Sequence, residues 1–63
     1  MYEQFLNALN ELGGYATNRQ MLAKLGWNKV DYIRTKEALK IMRQVKSVRC
    51  RGGAVAFVNQ ENN

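Results

Sequence analysis

The sequence has no histidine, no proline and one cysteine among its 63 residues. A lone cysteine, Cys50, excludes an intrachain disulfide. Without histidine the usual zinc-ligand sets and the Ser–His–Asp or Cys–His catalytic arrangements cannot be built. The sequence also shows no paired spacing of carboxylates and no glycine-rich phosphate loop. We therefore expect a protein that is not an enzyme, with no cofactor, no metal and no small-molecule substrate.

Long apolar runs are missing as well, so we expect no membrane span and no membrane partner. The first residues lack the basic and then apolar pattern of a signal peptide, which favours a cytoplasmic location. A chain of this length forms one domain with a small core. We expect that domain to cover residues 1–58 and residues 59–63 to form a disordered polar tail. The start at Met1 and the polar end lead us to expect an intact small protein.

Positive charge is concentrated in one part of the chain. The net charge is +5, and all ten Lys and Arg residues lie between Arg19 and Arg51. The first 18 residues carry only two charged side chains, Glu3 and Glu11. Such asymmetry is typical of a surface that binds a polyanion, although a small basic protein with a solvated surface would show the same net charge.

The order of predicted elements begins with three helices. Apolar residues from Tyr2 to Leu12 recur at helical spacing, and Gly13-Gly14 ends this first helix. After a short extended connector, Thr17-Asn18-Arg19-Gln20 matches a capping box for a second helix that ends at Gly26. Asn28 is the expected N-cap of a third helix running to about Gln44, and Trp27 before it is expected to pack on the core.

A helical wheel predicts which side of the third helix is buried. An apolar arc contains Val30, Ile33, Ala38, Ile41, Met42 and, just beyond the helix, Val45, and we expect this arc to pack. On the opposite side, with Tyr32 at its border, we expect a row of four exposed cations: Lys29, Lys36, Lys40 and Arg43. Arg34 falls within the apolar arc, where the pattern does not explain it.

The last segment, residues 45–58, predicts a β-hairpin. Gly52-Gly53 between two β-prone runs favours a two-residue turn, because both turn positions need a positive φ. That turn would pair Arg51 with Ala54 and Cys50 with Val55. Cys50 would then face the core with Val48, Val55 and Phe57, whereas Arg49 and Arg51 would project from the opposite face.

This order of three helices and a hairpin resembles the winged helix-turn-helix family. The stretches Leu12-Gly13-Gly14, Thr17-Asn18, Leu25-Gly26-Trp27 and Arg51-Gly52-Gly53-Ala54-Val55 are similar to small winged-helix modules of bacterial restriction and modification proteins, helicases and phage or plasmid regulators. The resemblance implies an α+β fold of three helices followed by a two-stranded wing. It also implies that residues 28–44 form a recognition helix for the major groove and that residues 45–58 contact the DNA backbone or minor groove.

We therefore predict a small binder of double-stranded DNA, either a transcriptional regulator or an architectural factor of phage or plasmid type. The candidate contacts are Asn28, Lys29, Tyr32, Lys36, Lys40, Arg43, Lys46, Arg49, Arg51, Gly52 and Gly53. Asn28 is also explained as a helix cap. A homodimer through the first helix would extend the contact to two half-sites.

Two other functions fit the same pattern. One is a protein-interaction winged helix that binds an acidic partner such as a host enzyme, which an exposed aromatic patch at Tyr2 and Phe5 would favour. The other is binding of RNA or a left-handed duplex through the same helix and wing, with Tyr32 on the basic stripe. Salt dependence distinguishes nucleic-acid binding from binding driven by apolar contacts.

Overall fold

A computed structural model describes residues 2–58, and the predicted tail at residues 59–63 lies outside the described residues. The elements in chain order are α1 (Tyr2–Glu11), β1 (Tyr15–Thr17), α2 (Asn18–Leu25), α3 (Lys29–Ile41), β2 (Val45–Val48) and β3 (Ala54–Phe57). The strands form an antiparallel sheet in the order β1-β3-β2. The predicted α+β class is confirmed. Within this part of the chain, no helix combines the length and apolar character needed to cross a bilayer.

The first helix ends, and the second helix begins, where the sequence predicts. Gly13, at φ 95°, follows the end of α1, and the Gly14 amide donates to the carbonyl of Leu9 at 2.9 Å. This is a glycine-terminated C-cap. At the start of α2, the Gln20 amide donates to the Thr17 hydroxyl at 3.0 Å, and the Thr17 amide donates to the Gln20 side chain at 2.9 Å. The predicted capping box is therefore confirmed.

The segment before α2, predicted as an extended connector, forms an additional strand of the sheet, β1. Residues Tyr15–Thr17 pair with β3, and Ala16 lies opposite Val55. Both side chains are fully buried. The prediction of a two-stranded hairpin alone was wrong in strand count, because three residues are too few to show the alternation that marks a strand in sequence.

The hairpin register also differs from the prediction. Val45 pairs with Phe57 and Val48 pairs with Ala54, so residues 49–53 form a five-residue loop between β2 and β3. Gly52 and Gly53 do adopt positive φ, at 79° and 83°. The observed register buries Val45 on the sheet face of Val55, a gain in apolar burial that a two-residue turn would forfeit.

The core forms where one face of the sheet meets the three helices. Its buried members are Phe5, Ala8, Leu9, Ala16, Met21, Tyr32, Leu39, Val45 and Val55, with Trp27 and Phe57 packed against them. The Phe5 ring stacks on Tyr32 with centroids 5.4 Å apart and meets Trp27 at 6.4 Å. The core position expected for Trp27 is confirmed.

The face of α3 that packs is not the one that the helical wheel predicted. Tyr32, Thr35, Lys36 and Leu39 are buried. Most of the predicted packing arc instead faces solvent: Val30 is 61% exposed and Ile41 is 80% exposed, whereas Val45, which belongs to β2, is buried as predicted. Apolar residues lie on both sides of this helix, and the side with Tyr32 and Leu39 buries an aromatic ring together with a leucine.

The end of α3 also comes earlier than predicted. The helix stops at Ile41, and Arg43 takes a left-handed conformation with φ 62°. The Arg43 amide donates to the Lys40 carbonyl and the Gln44 amide donates to the Leu39 carbonyl at 2.9 Å. This is the same C-cap as at the end of α1, but an arginine occupies the position that usually holds glycine.

We expect Arg43→Gly to stabilise the fold. A non-glycine residue in the left-handed region costs about 1–2 kcal/mol. Part of this gain is offset by the greater freedom of glycine in the unfolded chain, which leaves a net increase of about 0.5–1 kcal/mol in the free energy of unfolding. Urea denaturation of the two proteins measures the difference. A decrease in stability would contradict the strained conformation of Arg43.

Candidate functional site

Asn18 connects three elements of the fold. Its side-chain oxygen accepts hydrogen bonds from the Tyr32 hydroxyl at 2.6 Å and from the Lys36 ammonium at 3.1 Å. Its side-chain nitrogen donates to the carbonyl of Gly52 at 3.1 Å. The Asn18 amide donates to the carbonyl of Gly53 at the same distance. We call Asn18, Tyr32, Lys36 and Gly52 the Asn18 cluster. Its hydrogen bonds connect the start of α2 to α3 and to the β2–β3 loop.

Tyr32 and Lys36 are predicted surface contacts that the structure buries. Tyr32 is 2% exposed and Lys36 is 9% exposed, which corrects their placement on an open basic stripe. Burial raises the pKa of Tyr32 to about 12. Burial, with the charge of Lys40 as a lesser cause, lowers the pKa of Lys36. Both side chains support the loop rather than forming a free surface.

Two clefts open beside the Asn18 cluster and share Gly52. The first, called the Arg51 cleft, has a volume of about 350 Å³ and is lined by Thr17, Arg19, Arg51, Gly52 and Gly53. The second, called the Lys29 cleft, has a volume of about 240 Å³ and is lined by Asn18, Leu22, Lys29, Tyr32, Ile33 and Gly52. Among residues 2–58, no aspartate or glutamate lines either cleft.

Most cations have no carboxylate partner within the described chain. Lys24 pairs with Glu11 at 2.9 Å, and Lys40 pairs with Glu37 at 3.2 Å. These are the two ion pairs found among residues 2–58. The other exposed cations, unpaired over that range, are Arg19, Lys29, Arg34, Arg43, Lys46, Arg49 and Arg51. Three of these seven cations, Arg19, Lys29 and Arg51, line the two clefts.

The structure brings together part of the predicted site. Lys29, Tyr32, Arg51, Gly52 and Gly53 line the two clefts. The other candidates line neither of them: Asn28, the buried Lys36, the half-buried Lys40, Arg43, Lys46 and Arg49.

Asn28 acts as the N-cap of α3. Its side-chain oxygen accepts from the amide of Asp31 at 2.8 Å, and its side-chain nitrogen donates to the Asp31 carboxylate at 3.3 Å. The cap predicted for Asn28 is confirmed. Because both polar atoms of the side chain are engaged in the first turn of α3, a base contact by Asn28 would require breaking the cap.

The two arginines of the hairpin project from its loop and not from paired strands. Arg49 and Arg51 flank Cys50, and all three are exposed. The predicted inward position of Cys50 was therefore wrong, as was the predicted pairing of Arg49 and Arg51 with alanines. The cause is the register described above, which leaves residues 49–53 outside the ladder.

Asn18 and Ile33 are the residues that sequence reasoning missed. The sequence pattern places Asn18 in a capping stretch and Ile33 in the core, and it assigns neither to the site. No local signal marks Asn18, because its partners are 14, 18 and 34 residues away in the chain. Arg19, which is not among the predicted contacts, also lines the Arg51 cleft.

The two loop glycines offer a matched test of the Asn18 cluster. Both have positive φ, so alanine at either position costs about 1–2 kcal/mol. A Cβ at Gly52 would meet no atom within 4 Å, whereas one at Gly53 would lie 2.6 Å from the Asn18 side-chain nitrogen. The displaced amide would lose its bond to Gly52, so Gly53→Ala should cost about 1 kcal/mol more than Gly52→Ala. Equal midpoints in urea denaturation would show that the cluster does not hold the loop.

Comparison with known proteins supplies no relative: no family model, no curated protein and no solved structure matches this chain.

Proposed function

We propose that this protein binds double-stranded DNA, with the two clefts receiving the phosphate backbone and α3 lying along the major groove. One observation carries the proposal. Cations from three separate elements, namely Arg19, Lys29 and Arg51, meet around the Asn18 cluster with no carboxylate lining the clefts between them. Neutralised phosphates release condensed counterions, and this release is a main source of affinity for duplex DNA.

The element order supports a winged helix-turn-helix arrangement within this proposal. In it, α2 and α3 form the helix–turn–helix pair and the β2–β3 hairpin, with residues 49–53 at its tip, forms the wing. The strand β1 then closes the sheet beside β3. The contact of Asn18 with Gly52 and Gly53 holds the wing tip near the start of α2, which favours simultaneous contact of both with one phosphate row.

The number of phosphate contacts is estimated from the cations that line the two clefts and from Arg49 in the same loop. Lys36 is buried and Lys40 pairs with Glu37, so neither is a free phosphate contact. The two clefts and the adjacent Arg49 supply about three or four contacts, which corresponds to a slope of about −2.7 to −3.6 in log affinity against log salt concentration. A slope near zero would contradict a phosphate-binding face.

Neutral substitutions at single cations test which residues contact phosphate. We expect Arg51→Gln and Lys29→Gln each to weaken duplex binding about 5- to 20-fold and to make the salt slope shallower by about one, whatever the base sequence. Lys24→Gln is the matched control, because Lys24 pairs with Glu11 and lines a different cleft with Trp27. Fluorescence anisotropy with a labelled duplex at four salt concentrations gives affinity and slope together. An equal loss for Lys24→Gln would indicate a general effect of charge and not a defined face.

Binding of an acidic protein is the second candidate, and one observation favours it. The exposed side chains of α3 include Val30, Ile33 and Ile41, which is more apolar surface than phosphate binding requires. The aromatic patch that would favour a protein partner on α1 is not formed, because Phe5 is fully buried. Tyr32, whose predicted place on the basic stripe supported binding of RNA or a left-handed duplex, is buried too, so its position no longer favours that function.

A further inference from the structure

The outer face of α3 is the part of the surface that phosphate binding leaves unexplained. It carries three exposed apolar side chains together with one cation and one carboxylate: Val30, Ile33, Arg34, Glu37 and Ile41. Val30 is 61% exposed and Ile33 is 53% exposed. Scattered apolar residues are ordinary on protein surfaces. Here, however, they follow the helical repeat along the side of α3 opposite to Tyr32 and Leu39, so they form one continuous face.

We infer that Val30 and Ile33, on the N-terminal half of this face, contact the methyl groups of thymine in the major groove. The inference rests on the proposed function and adds a preference for thymine-containing duplexes. The major groove is wide enough to admit an α-helix, and the thymine C5-methyl is the apolar group that base pairs present there.

The position of Ile33 supports this assignment. Ile33 lines the Lys29 cleft together with Lys29 and Gly52, so it lies next to the groups that would contact phosphate. Val30 and Ile33 are separated by about 4.5 Å along the helix axis, about one third more than the ~3.4 Å between stacked base pairs on one strand. This spacing corresponds to one base-pair step, so we assign the two side chains to methyl groups on neighbouring base pairs.

The charges around this face favour duplex DNA over a second copy of the chain as its partner. The apolar residues lie between Lys29 and Arg34, and these two cations have no carboxylate partner within residues 2–58. A second copy of the chain would bring the same cations into contact and would be repelled. Duplex DNA presents an apolar methyl group between rows of negative charge, which fits both features. The carboxylate of Glu37 is held 3.2 Å from the Lys40 ammonium, so its charge is partly compensated.

The experiment compares two duplexes that differ only in those methyl groups. One is a 16-base-pair duplex of an adenine run paired with a thymine run, which places methyl groups on neighbouring base pairs of one strand, and the other carries deoxyuridine at every thymidine position. Each contacted methyl group is worth about fourfold in affinity, so the native chain should bind the thymine duplex about 15-fold more tightly. Anisotropy titrations at low salt give the ratio of the two affinities.

Two variants distinguish side-chain contact from a change in the duplex itself. In Val30→Ala/Ile33→Ala, we expect the ratio of affinities to fall towards one while binding of the deoxyuridine duplex persists. Ile41→Ala is the matched control: Ile41 is more exposed and lies on the same face, about 12 Å further along the helix than Ile33. This control should keep the ratio of the native chain. All three sites are exposed, so the fold should tolerate each substitution.

Each of the remaining outcomes would contradict thymine recognition, and each has a different consequence for the proposed DNA binding. Equal affinity for both duplexes, with steep salt dependence, would remove thymine recognition and leave DNA binding intact. No binding to either duplex at low salt would remove both. A ratio that survives in the double variant would assign the methyl effect to the duplex. Self-association in sedimentation, or binding of polyglutamate, that is lost in the double variant would assign the face to a second copy or to an acidic protein.

Discussion

A single asparagine side chain determines how the parts of this small fold are arranged. Asn18 accepts from Tyr32 and Lys36 and donates to Gly52, so α2, α3 and the β2–β3 loop converge on one amide. A domain of this size buries little apolar surface, and buried polar groups are costly unless they are hydrogen-bonded. Among residues 2–58, no buried side-chain nitrogen or oxygen is left without a partner. The cluster therefore specifies one arrangement of the three elements at little cost in unsatisfied groups.

The orientation of α3 follows from that cluster. With Tyr32 stacked on Phe5 and hydrogen-bonded to Asn18, the side of the helix with Val30 and Ile33 must face solvent. The helix thus carries its apolar residues where a partner can reach them and places a lysine, Lys36, inside. Burial of Val30 and Ile41 would be favourable too, but the side of the helix that packs instead buries the Tyr32 ring and Leu39 and makes the hydrogen bond to Asn18.

Charge and apolar surface meet at Ile33 in this arrangement. The clefts beside Asn18 carry unpaired cations, and the exposed apolar side chains of α3 form its outer face, of which Ile33 also lines the Lys29 cleft. Phosphate contacts give affinity without base information, and contacts to base edges give specificity. The proposed function assigns the first role to the cations of the clefts and the second to the apolar side chains of α3, with Gly52 and Ile33 together in the Lys29 cleft.

Local signals in the sequence were sufficient for the boundaries of α1 and α2, the caps at Thr17, Gly26 and Asn28, and the positive φ of Gly52 and Gly53. Each depends on residues within a few positions of one another, so propensity and spacing determine it. The buried face of α3, the register of the hairpin and the strand at Tyr15–Thr17 were decided only by tertiary structure. Each depends on contacts between residues far apart in the chain, such as Tyr32 with Asn18 and Ala16 with Val55. A helical wheel ranks apolar arcs, but it contains no information about which arc has a partner, and here the partner is an amide 14 residues away.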